Sequence, residues 1–457
     1  MNQLFKLGSS ASQILLDKNS ITKKSLLKTK KEFDSILLGL QVLEHELPGT
    51  VHLPNDINIK EELSNGREYC WLNYDQTLLS PWIQPDWISS QQLFDVASLV
   101  LKQQEVLLKN SLTFVDARPE NYYLYKETKL VDLGSIKPLN KQNYLSFQTD
   151  FANCFLTPLR LERCLNIPIG QFYKGGLQNY NINILGLTSI IKNQRLLLFS
   201  ARNWFREFVS LRISNSNTEF IEYVLSKQDC DESSQIDCRP FLKKNKSLCK
   251  LLDSCAPAKN DLSTWSEYND FHQTNYVERK VNSIASFISN LSSSEGVVDL
   301  GSNVTSSKIP GISAFIDRDT QVCNILRNNL GSDKIVLCAN IAEELLHVND
   351  FSENYCLNLN GNCKSAIVTS LLHHIIIDAG LSANCFYRSL SLLYNNIFFE
   401  FISDEDPMIK LLQAKKGEFI SWKWDDHLKI ISQFFDVSQS TELSSTRFAV
   451  SLVKKNL

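Results

Sequence analysis

The stretch Gly296-Val297-Val298-Asp299-Leu300-Gly301-Ser302-Asn303, followed by Ile312-Ser313-Ala314-Phe315-Ile316-Asp317, decides how this chain folds. An apolar run ends in Asp-x-Gly, and a second apolar run ends in a carboxylate about one crossover later. A doubly wound α/β sheet opens a nucleotide pocket in this way at the ends of its strands. Glycine lets the backbone approach a ligand without a Cβ in between. The Asp317 carboxylate can accept both hydroxyls of a ribose, so the pattern restricts the ligand to one with an adenosine-like end.

Working outward, apolar runs alternate with helical periodicities, the signature of a parallel α/β sheet. Strands are expected at 296–300, 312–317, 334–338, 365–370, 396–401, 434–438 and 448–453, with helices at 320–330, 341–346, 379–393 and 425–433. The last two strands are too close for a crossover helix. They should therefore pair as a hairpin, with one strand antiparallel.

Length and composition set the outer bounds. A chain of 457 residues should hold at least two domains. Its 43% hydrophobic and 21% charged residues are those of a water-soluble globular protein. A formal charge of -3 gives no general attraction to nucleic acid or anionic lipid. Lys243, Lys244 and Lys246 cluster, but a run this short reads as solvated surface. No stretch has the apolar length of a membrane helix and the first residues lack a secretory core, which implies the cytoplasm. The 12 cysteines are scattered and read as reduced thiols. Cys230, Cys238, Cys249 and Cys255 lie close in sequence without a Cys-x-x-Cys pair, which argues against zinc. Between Ser214 and Asp261 the composition turns to Ser, Asn, Asp, Lys and Cys. The expected division is 1–215, a linker or connecting subdomain at 216–261, and 262–457.

The C-terminal part resembles a class I S-adenosylmethionine-dependent methyltransferase. The resemblance runs from Trp265-Ser266-Glu267-Tyr268 onward and is carried by four stretches. These are Asp299-Leu300-Gly301-Ser302-Asn303, Asp317, Leu371-Leu372-His373-His374, and Phe399-Glu400-Phe401 with Asp406-Pro407-Met408. It implies a Rossmann-like, seven-stranded fold with the last strand antiparallel, and methyl transfer to an unidentified small-molecule or carbohydrate-like acceptor. The implied cofactor set is Asp299, Gly301, Ser302, Asn303, Asp317, Asn340 and Tyr276, with Asp317 on the ribose and Asn340 on the adenine edge. His373, His374 and Glu400 fall where the family lines its substrate side, with Asp404 and Asp406 as weaker candidates. An imidazole titrating near neutrality can take a proton from an attacking group. The two histidines also read as the end of a buried strand, one ring inward and one outward. Tyr276 reads equally as a packing aromatic. The family has glycine where this chain has Thr305, and only 12 positions separate Thr305 from Asp317. A truncated first crossover helix follows, with a weaker dipole facing the methionine carboxylate.

The N-terminal part has its own constellation. Asp116-Ala117-Arg118-Pro119-Glu120-Asn121 precedes Lys129-Leu130-Val131-Asp132-Leu133-Gly134, which resembles the catalytic and metal-binding loops of protein kinases. The resemblance implies an α+β protein-kinase-like N-terminal domain. Asp116 would align a hydroxyl, while Asn121 and Asp132 would hold magnesium on ATP. Ser89-Ser90-Gln91-Gln92 opens a capped amphipathic helix through Leu93, Val96, Ala97, Val100, Leu101, Leu107 and Leu108. The glycine-rich loop is missing and no lysine among Lys6, Lys23 and Lys24 stands out, so the expected module is degenerate. Two alternatives to methyl transfer stay open: a non-catalytic scaffold with degenerate pockets, and a phosphotransferase using Asp116, Asn121 and Asp132.

Overall fold

The computed structural model describes residues 4–5, 12–17, 20–26, 30–62, 67–75, 83–124, 127–165, 167–175, 237–257, 274–292, 295–330, 334–348, 356–359, 362–417 and 421–455. Two units emerge. One comprises residues 1–77, 93–122 and 129–258, the other 78–92, 123–128 and 259–457. The Trp265 to Tyr268 lead-in, Lys6 and Cys230 lie outside the described residues.

In the first unit, strands β1 (Leu4–Phe5), β2 (Ser12–Asp17), β3 (Ser20–Leu26), β4 (Asp56–Glu62) and β5 (Arg67–Asp75) form an antiparallel sheet in the order β1-β2-β3-β5-β4. The helix Lys30–Glu46 comes between β3 and β4 in sequence. The periodic stretch after Ser89 is the helix Ser90–Lys109. Its start is a reciprocal capping box: the Ser89 N–H donates to Gln92 Oε1 (3.0 Å) and the Gln92 N–H to Ser89 Oγ (3.4 Å). The stripe of Leu93, Val96, Ala97, Val100, Leu101, Leu107 and Leu108 is buried, as a 3.6-residue period requires. Two buried glutamines then anchor the segment beyond this helix. Gln104 donates to Thr113 Oγ1 (2.7 Å) and accepts from the Phe114 N–H (3.0 Å), while Gln103 accepts from the Tyr122 hydroxyl (2.7 Å). Short strands complete this region: β6 (Leu112–Phe114), β7 (Tyr122–Tyr123), β8 (Lys129–Leu130) and β9 (Ile136–Pro138), pairing β6 with β9 and β7 with β8. Within the stretch 216–261, residues Arg239–Asp253 form a helix.

The second unit contains seven strands: β10 (Gly296–Leu300), β11 (Ala314–Asp317), β12 (Ile335–Cys338), β13 (Cys363–Val368), β14 (Asn396–Ile402), β15 (Phe435–Ser444) and β16 (Arg447–Lys454). They hydrogen-bond in the order β12-β11-β10-β13-β14-β16-β15. Pairs from β12 through β14 are parallel, and β16 is antiparallel to both its neighbours. The chain moves outward from β10 in one direction to β11 and in the other to β13, so the switch point lies at the β10 tip.

Alternation along the strands separates two cores. On one face Val297, Phe315, Ile367 and Phe398 pack with Ile284 and Phe287 of the helix Thr274–Ser289 and with Val322 and Leu326 of the helix Thr320–Asn329. On the other, Phe399 meets Phe386 and Tyr387 of the helix Ala383–Leu393.

Some local expectations change. The helix expected from 379 begins at Ala383, because Ser382 caps it by accepting from the Cys385 N–H (3.2 Å) and Gly380 holds a left-handed φ of 77° before it. Residues His374–Asp378 ahead of it form a π-helical turn. The strand expected at 434–438 extends to Ser444, with register shifts at Val437/Gln439 and Glu442/Ser444. A helix not anticipated, Pro407–Lys416, starts on an Asp406 cap and ends at left-handed Gly417. Among the described residues no helix is long and apolar enough to cross a membrane. The described cysteines are free thiols, and no described group of three or more His, Cys, Asp or Glu could hold a metal ion.

Phe399 is fully buried in β14 between aromatic neighbours. Phe399→Ala should lower unfolding free energy by about 3–5 kcal/mol in chemical denaturation; a loss below about 1 kcal/mol would contradict this packing.

Candidate functional site

Four successive strand tips surround one cleft. After β10, Gly301 takes a φ of 73°, and the N–H groups of Gly301 and Ser302 donate to the Ile316 carbonyl (2.9 and 3.1 Å). Ser302 locks this corner, since its hydroxyl donates to the Asp299 carbonyl (2.8 Å) and accepts from the Ile316 N–H (3.1 Å). A Cβ at 301 would stand 3.1 Å from Leu371 Cδ1 and crowd it, and the positive φ favours glycine whatever the space. Asp317 is the last residue of β11, and its Oδ1 accepts from the Asp319 N–H (2.7 Å). Asn340 follows β12 and donates to Glu343 Oε1 (2.7 Å). Ser370, Leu371 and His374 follow β13. The cleft and its open mouth together hold about 790 Å³ of space between atoms. Its walls include Gly301, Ser302, Asn303, Asp317, Arg318, Asn340, Ser370, Leu371 and His374.

Burial pushes the Asp317 carboxyl up to about 7, and the Asp319 carboxylate adds to the rise against the hydrogen bond from the Asp319 N–H. Burial also takes the His374 imidazole down to about 4, so the ring is neutral at pH 7. Arg318 was not singled out in the sequence, because an arginine after a strand reads as ordinary surface. It sits on the cleft wall, and its guanidinium lies 3.9 Å from the Asp378 carboxylate.

The remaining sequence candidates lie elsewhere. His373 is 3% exposed and packs ring to ring with His374 at 4.2 Å, off the cleft lining. Burial holds its pKa well below the usual histidine value, with the charges of His374, Arg447 and Lys280 adding to the effect. Asp299 is buried beneath the loop. Desolvation pushes it up to about 6 against the pull of the Ser306 hydroxyl and the Lys280 ammonium. Tyr276 and Glu400 lie off the cleft lining and meet each other: the Tyr276 hydroxyl donates to Glu400 Oε1 (2.5 Å). Asp406 caps a helix, accepting from the Met408 N–H (3.0 Å).

Glu400 is the hub of a buried polar cluster. Lys280 Nζ lies 3.4 Å from Oε2 and Arg447 Nη1 3.8 Å from Oε1, while the Ser370 hydroxyl donates to Oε2 (3.0 Å). Arg447 also donates through Nε to Asp406 (3.0 Å) and through Nη1 to the Tyr276 oxygen (3.2 Å). Desolvation alone would raise the Glu400 pKa; Lys280 and Arg447 outweigh it and hold the group below the usual carboxylate value. Lys280, Ser370 and Arg447 come from separate elements, and no spacing in the sequence links them.

The first crossover is a five-residue 3₁₀ turn, Val304–Lys308, in place of an α-helix. Its start is held by a reciprocal cap. Asn303 Oδ1 accepts from the Thr305 N–H (2.9 Å) and from the Thr305 hydroxyl, and Ser306 Oγ accepts from the Asn303 N–H (3.4 Å). The truncated crossover expected from the spacing of Thr305 and Asp317 is this single turn. Thr305 points to the far side of this turn, among Tyr276, Lys280, Ile284 and Ile309, and leaves the cleft open.

In the other unit, Asn121 Nδ2 donates to the Asp116 carbonyl (2.6 Å), and the Val131 and Asp132 N–H groups donate to the Asn121 carbonyl (2.9 and 3.2 Å). Asp116 Oδ1 pairs with Arg118 Nε at 2.7 Å. Asn121 and Asp132 are each 6% exposed.

No protein-family model and no curated protein matches the chain. Among solved structures, the bifunctional kinase-methyltransferase WbdD is similar at 18% identity, covering 45% of this chain and 45% of its own, with a TM-score of 0.31. The N-methyltransferase NodS from Bradyrhizobium japonicum is similar at 8% identity, over 40% of this chain and 98% of its own, with a TM-score of 0.29. A geranyl diphosphate methyltransferase in complex with GPP and sinefungin is similar at 8% identity, over 38% of this chain and 78% of its own, with a TM-score of 0.27. The chain spans less than half the length of WbdD.

Removing Arg447 leaves Asp406 without its guanidinium and Glu400 with one cation. Arg447→Met should cost about 3–5 kcal/mol of stability, read by chemical denaturation. A neutral result would mean the cluster contributes little to folding.

Proposed function

We propose that the second unit binds S-adenosylmethionine in the cleft at the β10 switch point and transfers its methyl group to a small-molecule or carbohydrate-like acceptor. The observation that carries this reading is the convergence on one cleft of Gly301, Asp317, Asn340 and His374 from four successive strand tips. The residues fit such a ligand: a side-chain-free corner at Gly301, a carboxylate at the second tip and an amide at the third. When bound, the cofactor supplies an electrophilic methyl on a sulfonium.

The protein's own contribution is alignment and exclusion of water. Asp317 would hold the ribose hydroxyls and Asn340 the adenine edge, while the backbone from Gly301 to Asn303 would border the amino-acid end. His374, neutral at pH 7, would donate or accept a hydrogen bond toward the acceptor and serve poorly as a base. His373, Glu400 and Tyr276 would act from behind the wall.

We further propose that residues 1–215 form a degenerate kinase-like module joined through 216–261 to a methyltransferase domain at 262–457. Its support is the sheet order β1-β2-β3-β5-β4 and the hydrogen bonds linking Asp116, Asn121 and Asp132.

Calorimetry with S-adenosylhomocysteine should show saturable heat, and Asp317→Asn should weaken binding by at least about tenfold. No heat from the unmutated protein would sink the methyltransferase reading. The sign of the pH effect follows from Asp317, whose carboxyl sits at about 7. Ribose hydroxyls bind its ionised form, so affinity should rise as pH climbs through that value and level off above it. Below it, affinity should fall by about tenfold per pH unit. In Asp317→Asn the same titration should be markedly flatter.

A further inference from the structure

Ser370 both lines the cleft and bonds to the buried cluster. Its backbone has a φ of 52°, the left-handed region that residues bearing a Cβ avoid. Strand β13 stops at Val368, and the chain turns sharply at Ser370 to deliver Leu371 and His374. The two residues are coupled, since the His374 N–H donates to the Leu371 carbonyl (3.0 Å). Leu371 in turn faces Gly301, with its Cδ1 3.1 Å from where a Cβ at 301 would stand.

A strained conformation persists only where its surroundings hold it. Here the Ser370 hydroxyl donates to Glu400 Oε2 (3.0 Å) and accepts from Lys280 Nζ (3.5 Å). Glu400 is itself immobilised by Tyr276 and Arg447, and neither Glu400 nor Lys280 lines the cleft. We propose that Ser370, Glu400 and Lys280 are positioning residues: the buried ion pair holds Ser370 left-handed, and that turn seats Leu371 and His374 as the cleft wall. The inference rests on the nucleoside reading of the cleft and explains why a carboxylate at position 400 is kept away from the ligand.

Substitution at 370 separates this role from direct ligand contact. Ser370→Ala removes the hydroxyl anchor but retains the Cβ that disfavours the turn, whereas Ser370→Gly adopts positive φ freely. With S-adenosylhomocysteine in calorimetry of the full chain, Ser370→Ala should bind about tenfold more weakly than the unmutated protein, and Ser370→Gly should bind several-fold more tightly than Ser370→Ala. In a Glu400→Gln background, where the anchor is weakened, adding Ser370→Gly should restore most of the affinity. Equal weakening in the alanine and glycine variants would show that the hydroxyl touches the ligand, and an unaffected alanine variant would show that the anchor is idle. Either result overturns the proposal. If the unmutated protein gives no heat, melting temperatures decide: Ser370→Gly melting above Ser370→Ala supports the anchored turn, and the reverse or equal order refutes it.

Discussion

Glu400 keeps its negative charge at 1% exposure because cations and hydroxyls from elsewhere in the unit reach it. Burying a charge is costly, and the arrangement is tolerable only when every partner arrives in place. Lys280 and Tyr276 come from the helix Thr274–Ser289, Ser370 from beyond β13, and Arg447 from the first residue of β16. The antiparallel register pairs Ile402 with Arg447 and Glu400 with Ala449, which brings Arg447 to the sheet end where Glu400 lies. A one-residue slip would turn Arg447 to the opposite face and leave Glu400 with Lys280 alone. The cluster therefore ties together the reversed strand, the helix packed on the sheet and the strand tip beside the cleft.

The short link between β10 and β11 makes sense against this frame. An open sheet face needs cover, and the helix Thr274–Ser289 supplies it with Ile284 and Phe287, lying with Ile309 and Ile312 in the same core. The crossover can then shrink to one 3₁₀ turn without exposing Val297 or Phe315. Its polar ends are satisfied internally by Asn303 and Ser306, so the turn is self-contained. The consequence for the cleft is a border made of loop backbone and the Gly301 corner, where a longer crossover would present a helix end.

Much of the second unit was legible because burial imposes regular patterns. Apolar runs such as Ala314 to Ile316 and Ala366 to Val368 mark strands covered on both faces, and Asp299-Leu300-Gly301 and Asp317 mark where two strands stop. The hairpin of β15 and β16 followed from chain length alone. The site was legible only as far as strand tips define it. Gly301, Asn303, Asp317, Asn340 and His374 share a cleft because each follows a strand in the same sheet. The partners of Glu400 were hidden, since Lys280 is 120 residues upstream and Arg447 is 47 downstream and only the tertiary fold makes them neighbours. The π-helical turn at His374–Asp378 was hidden for another reason: Ile375, Ile376 and Ile377 carry no cap or period that marks a turn, and the left-handed Gly380 lies just beyond them.

The outer strand of the sheet, β15, would ordinarily present a continuous row of unsatisfied amides and carbonyls to any passing polypeptide. The register shifts at Val437/Gln439 and Glu442/Ser444 break that row into short pieces with differing twist, and the exposed Asp436 beside them adds charge. A foreign strand would find at most a few matched donors before losing step. These irregularities thus guard this margin against sheet-to-sheet aggregation.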